Sequence, residues 1–213
     1  MTTPPSGPQA SDSLVSGAQV LRSMCVFCAS SDGVDPQFLA GARRLGADLA
    51  RAEVRLVYGG GGVGLMGACA RAAHAAGGQV LGVMPTFLRS REGALDEVET
   101  VFVQSMHERK AIMFDQSDAF AVLPGGIGTL EEVVELLSWR RLALHAKPIV
   151  FLNPGGYWTP LFDLFSHTVA QGLSPEWFMD AFRSVEHAEE VLPAARAMLA
   201  AATPGSPDPR SLT

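Results

Sequence analysis

The stretch LPGGIGTLEEVVELL (residues 123–137) combines a glycine-rich loop with the start of a helix. A proline and three glycines are followed by a threonine, two adjacent glutamates and apolar residues at helical spacing. The apolar segment DAFAVL (residues 118–123) leads into the loop and predicts a strand. A glycine loop between a strand and a helix presents backbone N–H groups and the positive end of the helix dipole, so it predicts an anion site. The two glutamates are either helix caps or catalytic groups.

Short apolar segments alternate with helical patterns on both sides of this stretch. The predicted strands are MCVFC (24–28), VRLVY (54–58), QVLGVM (79–84), VETVFV (98–103), DAFAVL (118–123), PIVFL (148–152) and FRSV (182–185). Predicted helices begin at 35, 105, 129, 157 and 187, and each glycine loop opens a helix. Several strand segments are apolar without alternation, which is typical of strands covered on both faces. The pattern predicts a single-domain, Rossmann-like α/β fold with a doubly wound parallel sheet, whose ligands bind beyond the carboxyl ends of the strands.

The composition is that of a folded domain with polar ends. The chain has 213 residues, of which 47% are hydrophobic and 18% are charged. This is enough to bury a sizeable core. Residues 1–20 and 203–213 are rich in Pro, Ser, Gly and Thr, so we expect disordered tails on either side of a domain over residues 21–202.

Charge and hydropathy limit the partners. The net charge of -6 argues against a general binder of nucleic acid or of membrane surfaces. The first twenty residues lack the positive start and apolar core of a signal peptide, and no apolar run approaches the roughly 20 residues of a membrane span. We therefore expect a cytoplasmic protein with neither a nucleic-acid nor a membrane partner.

Cysteine spacing does not predict a metal site. Cys25 and Cys28 form a C-x-x-C within an apolar strand, where residues three apart point to opposite faces. No second C-x-x-C and no histidine cluster completes a zinc site around them or around Cys69. We expect no bound metal.

A second glycine loop, YGGGGVGLMG (residues 58–67), contains G-x-G-x-x-G twice. This spacing is found in dinucleotide-binding proteins, but here the loop follows the second predicted strand rather than the first. The next strand ends in Pro85 without the Asp or Glu that would hold a ribose hydroxyl. The pattern therefore disfavours NAD, and leaves open whether these glycines bind phosphate or only allow tight strand–helix packing. The PGGIGT loop lacks the G-K-[ST] ending of a P-loop, although the Thr129 hydroxyl can donate to a phosphate.

The two adjacent glutamates face different surroundings, because neighbouring helical residues are about 100° apart. Glu131 continues a polar stripe with Glu135 and is predicted to be solvated near the helix dipole. Glu132 aligns with Leu136 on the flank of the apolar face, where a carboxylate is partly shielded from water. Helix geometry thus favours Glu132 as the catalytic glutamate.

Arg109, like Glu132, is a charged residue predicted to lie among apolar neighbours. It follows a capping box at residues 105–108, and lies one turn from Ile112 and Met113, which should face the core. A cation among apolar neighbours calls for an anion, unless the side chain extends to place its charge in water. The neighbouring Lys110 suits either the surface or the pocket.

These motifs together resemble the LOG family of cytokinin riboside 5′-monophosphate phosphoribohydrolases, which are often mislabelled lysine decarboxylases. The family hallmark PGGxGTxxE matches residues 124–132 and ends on Glu132, and its Arg-Lys pair matches Arg109 and Lys110 in MHERK. The FCGSS element is present as FCASS (27–31), with Ala29 in place of glycine, and the glycine-rich element as GGGVGLMG (60–67). The resemblance covers roughly residues 22–200.

The resemblance implies hydrolysis of the N-glycosidic bond of an adenosine 5′-monophosphate with an N6-isoprenoid group, giving free base and ribose 5-phosphate without a cofactor. Plain AMP is a second candidate substrate. Family members are usually homodimers with the site close to the dimer interface, so a homodimer is expected here.

The resemblance also implies residue roles. Breaking this bond builds positive charge on the ribose, which a carboxylate stabilises while it activates water, and Glu132 is the candidate for both. Arg109 would orient Glu132 or contact the purine. The loop residues Gly125, Gly126, Gly128 and Thr129 would hold the 5′-phosphate. The other candidate substrate-binding residues are Ser31, Gly60, Gly61, Gly64, Met106 and Lys110, with Trp139 beside the base.

Three other functions are weighed against hydrolysis. A pyridoxal-phosphate decarboxylase needs a Schiff-base lysine, and the chain has only Lys110 and Lys147, the second of which precedes a strand. A non-catalytic nucleotide or cofactor carrier of the same fold would need the phosphate loops but not the carboxylate–arginine pair. A nucleotide-sensing regulator is the third, and activity on AMP would count against it.

Overall fold

A computed structural model describes residues 20–201. Residues 1–19 and 202–213, which carry the predicted tails, lie outside the described residues, so the tails and the domain boundaries stay predictions. Within residues 20–201 the chain forms seven strands and seven α-helices. In chain order these are β1 (Ser23–Phe27), α1 (Pro36–Arg51), β2 (Arg55–Tyr58), α2 (Gly64–Ala75), β3 (Val80–Pro85), α3 (Arg89–Glu92), β4 (Glu99–Val103), α4 (Met106–Asp115), β5 (Ala119–Val122), α5 (Ile127–Arg141), β6 (Ile149–Leu152), α6 (Thr159–Ala170), β7 (Arg183–Val185) and α7 (Val191–Ala201).

All seven predicted strands are present, and they form one parallel sheet in the order β4-β3-β2-β1-β5-β6-β7. The chain winds outward from β1 through β2 to β4, then returns to the other side of β1 with β5. The loops after β1 and β5 therefore diverge and leave a crevice between them, which is where ligands bind in sheets of this kind. The predicted doubly wound α/β fold is confirmed.

The sheet separates two apolar cores. One core packs against α1, α2 and α7, and the other against α4, α5 and α6. Cys28 belongs to the first core and Cys25 to the second, so the C-x-x-C residues point to opposite faces as predicted. Burial raises the pKa of both thiols well above the ordinary value, which keeps them protonated.

Side chains set the starts of two predicted helices. The Asp35 carboxylate accepts the N–H of Gln37 (2.8 Å) at the start of α1. The Ser105 hydroxyl accepts the N–H of Glu108 (3.1 Å), and the Glu108 carboxylate accepts an N–H just before the cap (2.9 Å). Helix α5 differs, because its N-cap is Gly126 and no side chain caps it.

Two further findings bear on partners. No helix within residues 20–201 is both long and apolar enough to cross a membrane, and a cytoplasmic location stays a prediction. In the same part of the chain, no group of three or more His, Cys, Asp or Glu side chains is arranged to hold a metal ion.

Candidate active site

A pocket of about 210 Å³ opens where β1, β2 and β5 end. It lies at the switch point of the sheet and contains side chains from distant parts of the sequence. Six of the predicted site residues line it: Ser31, Arg109, Gly126, Gly128, Thr129 and Glu132. Helices α4 and α5 supply the two charged residues that the sequence analysis singled out, Arg109 and Glu132.

Glu132 lies on the second turn of α5 and is only 8% exposed. Its Oε1 atom is 3.5 Å from Nη1 of Arg109. Burial raises the pKa of Glu132 from 4.5 to about 7, and the guanidinium of Arg109 opposes that shift only in part. A carboxyl group that titrates near neutrality inside a pocket suits proton transfer to and from water.

Arg109 is held by the backbone of the sheet. Its side chain is buried, with Nε donating to the Val83 carbonyl (3.2 Å) and Nη2 to the Gly59 carbonyl (3.5 Å). A Cβ atom at Gly59 would overlap Nη2, so only glycine at that position permits this arrangement. Arg109 is therefore fixed and desolvated, and it faces Glu132 rather than extending to place its charge in water as the alternative interpretation required.

Glu131 and Lys110 form a separate ionic group outside the pocket. The ammonium of Lys110 binds the carboxylate of Glu131 and that of Glu135 (2.8 Å), joining α4 to α5. The Glu131 side chain is 51% exposed, as expected for a solvated helix face. Lys110 does not line the pocket, and neither does Met106, whose sulfur lies 3.9 Å from Nη1 of Arg109. Their roles as substrate ligands stay predictions that the single chain does not support.

The N-terminus of α5 is open. The first bond of the helix runs from the Leu130 N–H to the Gly126 carbonyl, which leaves the N–H groups of residues 127–129 without a carbonyl partner among the described residues. Space is free beside the α-carbons of Gly126 and Gly128. Gly125 has a different role, because a Cβ atom there would overlap the Thr129 side chain, and its carbonyl accepts the hydroxyl of Tyr157 (2.8 Å).

The N-terminus of α2, after the other glycine loop, is closed by the chain itself. The N–H of Leu65 donates to the Ala29 carbonyl (3.0 Å), and the N–H of Gly64 donates to Oδ1 of Asp32 (3.2 Å). Gly64 has a φ of 57°, and a Cβ atom there would lie 2.7 Å from the Ser31 carbonyl oxygen.

The three predicted ligands from this loop, Gly60, Gly61 and Gly64, do not line the pocket. The packing interpretation fits this loop, and α5 is the helix that offers free donors to an anion. Binding of substrate by these three glycines stays a prediction without support in the single chain.

Sequence reasoning missed two groups at this site. Glu92, at the end of the single turn α3, lines the pocket, although it lies in a loop segment without helical or strand periodicity. Tyr157 holds the PGGIGT loop from outside through its hydroxyl. A signal for Tyr157 was available, because it follows a Gly-Gly pair in the turn N-P-G-G that leaves a predicted strand, at the edge where ligands bind.

The fold and the pocket define the class: a Rossmann-like α/β protein with a buried carboxylate–arginine pair and an open helix N-terminus at the switch point of its sheet. Comparison with known proteins narrows this class. A family model described as "Possible lysine decarboxylase" matches residues 66–195.

Two plant proteins are close relatives. "Probable cytokinin riboside 5′-monophosphate phosphoribohydrolase LOGL9" of Oryza sativa subsp. japonica is 46% identical over 172 residues, 80% of this chain and 76% of the relative. "Cytokinin riboside 5′-monophosphate phosphoribohydrolase LOG7" of Arabidopsis thaliana is 45% identical over 156 residues, 72% of each chain. The chain belongs to the LOG family of phosphoribohydrolases, which confirms the resemblance.

Solved structures with the same fold include cofactor carriers. The molybdenum cofactor carrier protein of Chlamydomonas reinhardtii has 22% identity and a TM-score of 0.64, covering 85% of this chain and 99% of the carrier. The molybdenum cofactor binding protein of Rippkaea orientalis has 20% identity and a TM-score of 0.63, covering 84% and 98%. At these identities the likeness shows the fold alone.

Proposed function

We propose that this protein hydrolyses the N-glycosidic bond of adenosine 5′-monophosphates that carry an N6-isoprenoid group, releasing the free base and ribose 5-phosphate, with AMP as a second substrate. The observation that carries the proposal is the buried Glu132–Arg109 pair, one helical turn beyond the open N-terminus of α5. The named activity of relatives at about 45% identity supports it.

The pocket suits a sugar phosphate. The 5′-phosphate would accept the free N–H groups of residues 127–129, where the helix dipole favours negative charge. Glu132 lies three residues beyond Thr129, roughly 4.5 Å further along the helix axis, so the ribose of a bound nucleotide would lie beside its carboxylate.

Glu132 would act twice in the reaction. As the bond between C1′ and N9 breaks, positive charge develops on the ribose and the carboxylate stabilises it. Glu132 then accepts a proton from the water whose oxygen bonds to C1′. The departing purine nitrogen takes up that proton, which returns Glu132 to its ionised form. Arg109 would hold the carboxylate toward the sugar, since its guanidinium lies 3.5 Å from Oε1 of Glu132 and stays charged.

The experiment is release of free base from isopentenyl-adenosine monophosphate and from AMP, using wild type, Glu132→Gln and Glu131→Gln. We expect Glu132→Gln to lower kcat by at least about 100-fold while AMP still binds, because removing a catalytic acid–base group has effects of that size. Glu131→Gln is the matched control on a neighbouring, half-exposed glutamate and should keep nearly full activity. A wild type that binds both nucleotides and cleaves neither would favour the carrier function instead.

The decarboxylase label of the family model has no support at the lysines. Lys110 is occupied by two glutamates, and the ammonium of Lys147 donates to the Phe114 carbonyl (2.7 Å) and lies over the Phe114 ring. These are the only lysines in the sequence, and neither lines the pocket. A Schiff base with pyridoxal phosphate would require one of them to leave these partners.

We propose further that the protein works as a homodimer that completes the pocket. The volume of about 210 Å³ is below the roughly 300–1,000 Å³ of sites that enclose a ligand of nucleotide size. Ile127 at the pocket rim is 84% exposed, and Val134, two turns along the same face of α5, is 47% exposed. A second chain packed on this face would cover both residues and form the missing side of the pocket around the purine base.

A further inference from the structure

The pocket contains a second carboxylate, Glu92, to which hydrolysis as described above gives no role. Its Oε2 atom is buried and has no hydrogen-bond partner among the described residues. A buried carboxylate oxygen without a donor is costly, and such atoms in folded proteins usually have a partner. Glu92 lines the pocket, so a bound ligand is in a position to supply the missing donor.

The first glycine loop positions Glu92. The N–H of Gly62 donates to the backbone carbonyls of Glu92 (2.9 Å) and Gly93 (2.6 Å), and Gly61 forms an antiparallel bridge with Ala94. A Cβ atom at Gly61 would lie 3.2 Å from Oε2 of Glu92, so the bare backbone leaves room for the carboxylate. The glycines that do not touch the pocket therefore position a residue that does.

The place of Glu92 along the sheet edge indicates which part of a nucleotide it meets. Strands are about 4.8 Å apart, so the loop after β2, on which Glu92 rests, lies about 10 Å from the end of β5 and the open N-terminus of α5. With the phosphate at α5 and C1′ beside Glu132, the far side of the ribose points toward Glu92. A carboxylate there repels phosphate but accepts hydrogen bonds from sugar hydroxyls.

We propose that Glu92 accepts hydrogen bonds from the ribose 2′- and 3′-hydroxyls and makes the site selective for ribonucleotides over 2′-deoxyribonucleotides. This inference rests on the proposed function for the orientation of the nucleotide. Glu92 then supplies the ribose-binding acid that is absent at the end of β3. It lies seven residues beyond Pro85, and the contact of its segment with the glycine loop brings it back to the site.

The test is kcat/KM for AMP and for 2′-deoxy-AMP with wild type, Glu92→Ala and Glu92→Gln. Glu97→Ala, an exposed glutamate that does not line the pocket, is the control. Comparing variants on each substrate removes the different intrinsic lability of the two glycosidic bonds. We expect Glu92→Ala to lose about 10- to 100-fold on AMP and several-fold less on 2′-deoxy-AMP, because the deoxy substrate keeps only one of the two hydroxyls that Glu92 would bind. Glu92→Gln should fall between wild type and Glu92→Ala.

Equal losses on both substrates, or no loss on AMP, would overturn the inference. Purine riboside 5′-monophosphate, which keeps the ribose but lacks the 6-amino group, tests the base directly. If Glu92→Ala harms AMP but not this analogue, Glu92 contacts the base and the ribose assignment is wrong. If wild type cleaves none of these nucleotides, the proposed function fails. The role of Glu92 is then decided by Kd, as the loss of affinity that Glu92→Ala causes for AMP relative to the loss for 2′-deoxy-AMP.

Discussion

Glu132 is buried, so ionisation of its carboxyl group is costly in free energy. The catalytic activity of the protein should therefore depend on pH near neutrality. Its pKa is raised to about 7 by burial, so the carboxyl is mostly protonated at pH 6 and mostly ionised at pH 8. Because the ionised form would stabilise the ribose cation and take the proton from water, kcat/KM should rise through about pH 7 and then level off. A pH profile from 4 to 9 on AMP measures this. An acid limb near pH 4.5, the ordinary value for Glu, would show that burial does not raise the pKa of the catalytic carboxyl.

The same pKa has a consequence for stability. The folded state holds the proton of Glu132 more tightly than the unfolded chain does, so ionisation opposes folding, and stability falls as pH rises from about 4.5 to about 7. Glu132→Gln removes the ionisable group. It should raise the free energy of unfolding at pH 8 by up to about 3 kcal/mol, at about 1.36 kcal/mol for each unit of pKa, and should give little gain near pH 4.5.

Urea denaturation of wild type and Glu132→Gln at the two pH values measures that difference. A variant that is less stable than wild type at pH 8 would show that the loss of an anion beside buried Arg109 outweighs the relief of desolvation. A gain in stability together with a loss of activity would identify Glu132 as a residue kept for function at a cost in stability.

At the scale of elements, the phosphate loop depends on a contact from the next strand–helix connection. The Tyr157 hydroxyl donates to the Gly125 carbonyl, and so fixes the peptide that joins Gly125 to Gly126, the N-cap of α5 and the residue before the free N–H groups of residues 127–129. Tyr157→Phe should therefore weaken binding of ribose 5-phosphate several-fold, since one hydrogen bond contributes about 1 kcal/mol. The phenyl ring keeps the edge contacts with Phe38 and Trp158, so folding should be unaffected.

Calorimetric titration with ribose 5-phosphate and with free adenine separates two explanations for any loss. A phosphate-loop role predicts weaker binding of the sugar phosphate alone. Equal loss for both ligands would mean that Tyr157 supports the whole pocket, and an unchanged Kd for ribose 5-phosphate would contradict the prediction.

The features that the sequence predicted correctly are those set by residues close together in the chain. Strands appear as apolar runs, and the burial of Glu132 follows from its angle on α5 relative to Leu136. The two glycine loops look alike in sequence because both lead from a strand into a helix. They differ in whether the helix N–H groups already have partners, and the partners at α2 come from Ala29 and Asp32, more than thirty residues away. No local pattern contains that information.

Glu92 was missed for a related reason. Its segment has no apolar period, and it reaches the pocket only because Gly62 binds the backbone of Glu92 and Gly93 across the sheet edge. A carboxylate placed by loop-to-loop contacts is visible only once the sheet order is known. No acid stands at the end of β3 at Pro85, but the following loop returns to the site and carries Glu92.

At the scale of the whole molecule, the sheet order brings the site together. β1 and β5 are neighbours although 95 residues separate Phe27 from Val122, its partner in the parallel pair, and the switch between the strands leaves the crevice that the pocket fills. The two cores on either side of the sheet hold α2 and α5 rigidly at its edge. A fixed frame of this kind allows two glutamates and an arginine from three different helices to line one pocket.

The proposed homodimer is tested on the exposed apolar face of α5. Val134→Lys places a charge on the exposed apolar face of α5 beside Ile127, where burial by a second chain would leave the ammonium desolvated and unpaired. Leu173→Lys is the matched control. Leu173 is an exposed apolar residue in the turn after α6, and this turn lies at the edge of the sheet opposite the pocket. We expect wild type and Leu173→Lys to sediment as dimers, and Val134→Lys to sediment as a monomer with reduced base release. A wild type that stays monomeric at micromolar concentration with full activity would contradict the proposal, and would mean that the pocket of one chain is sufficient for the reaction.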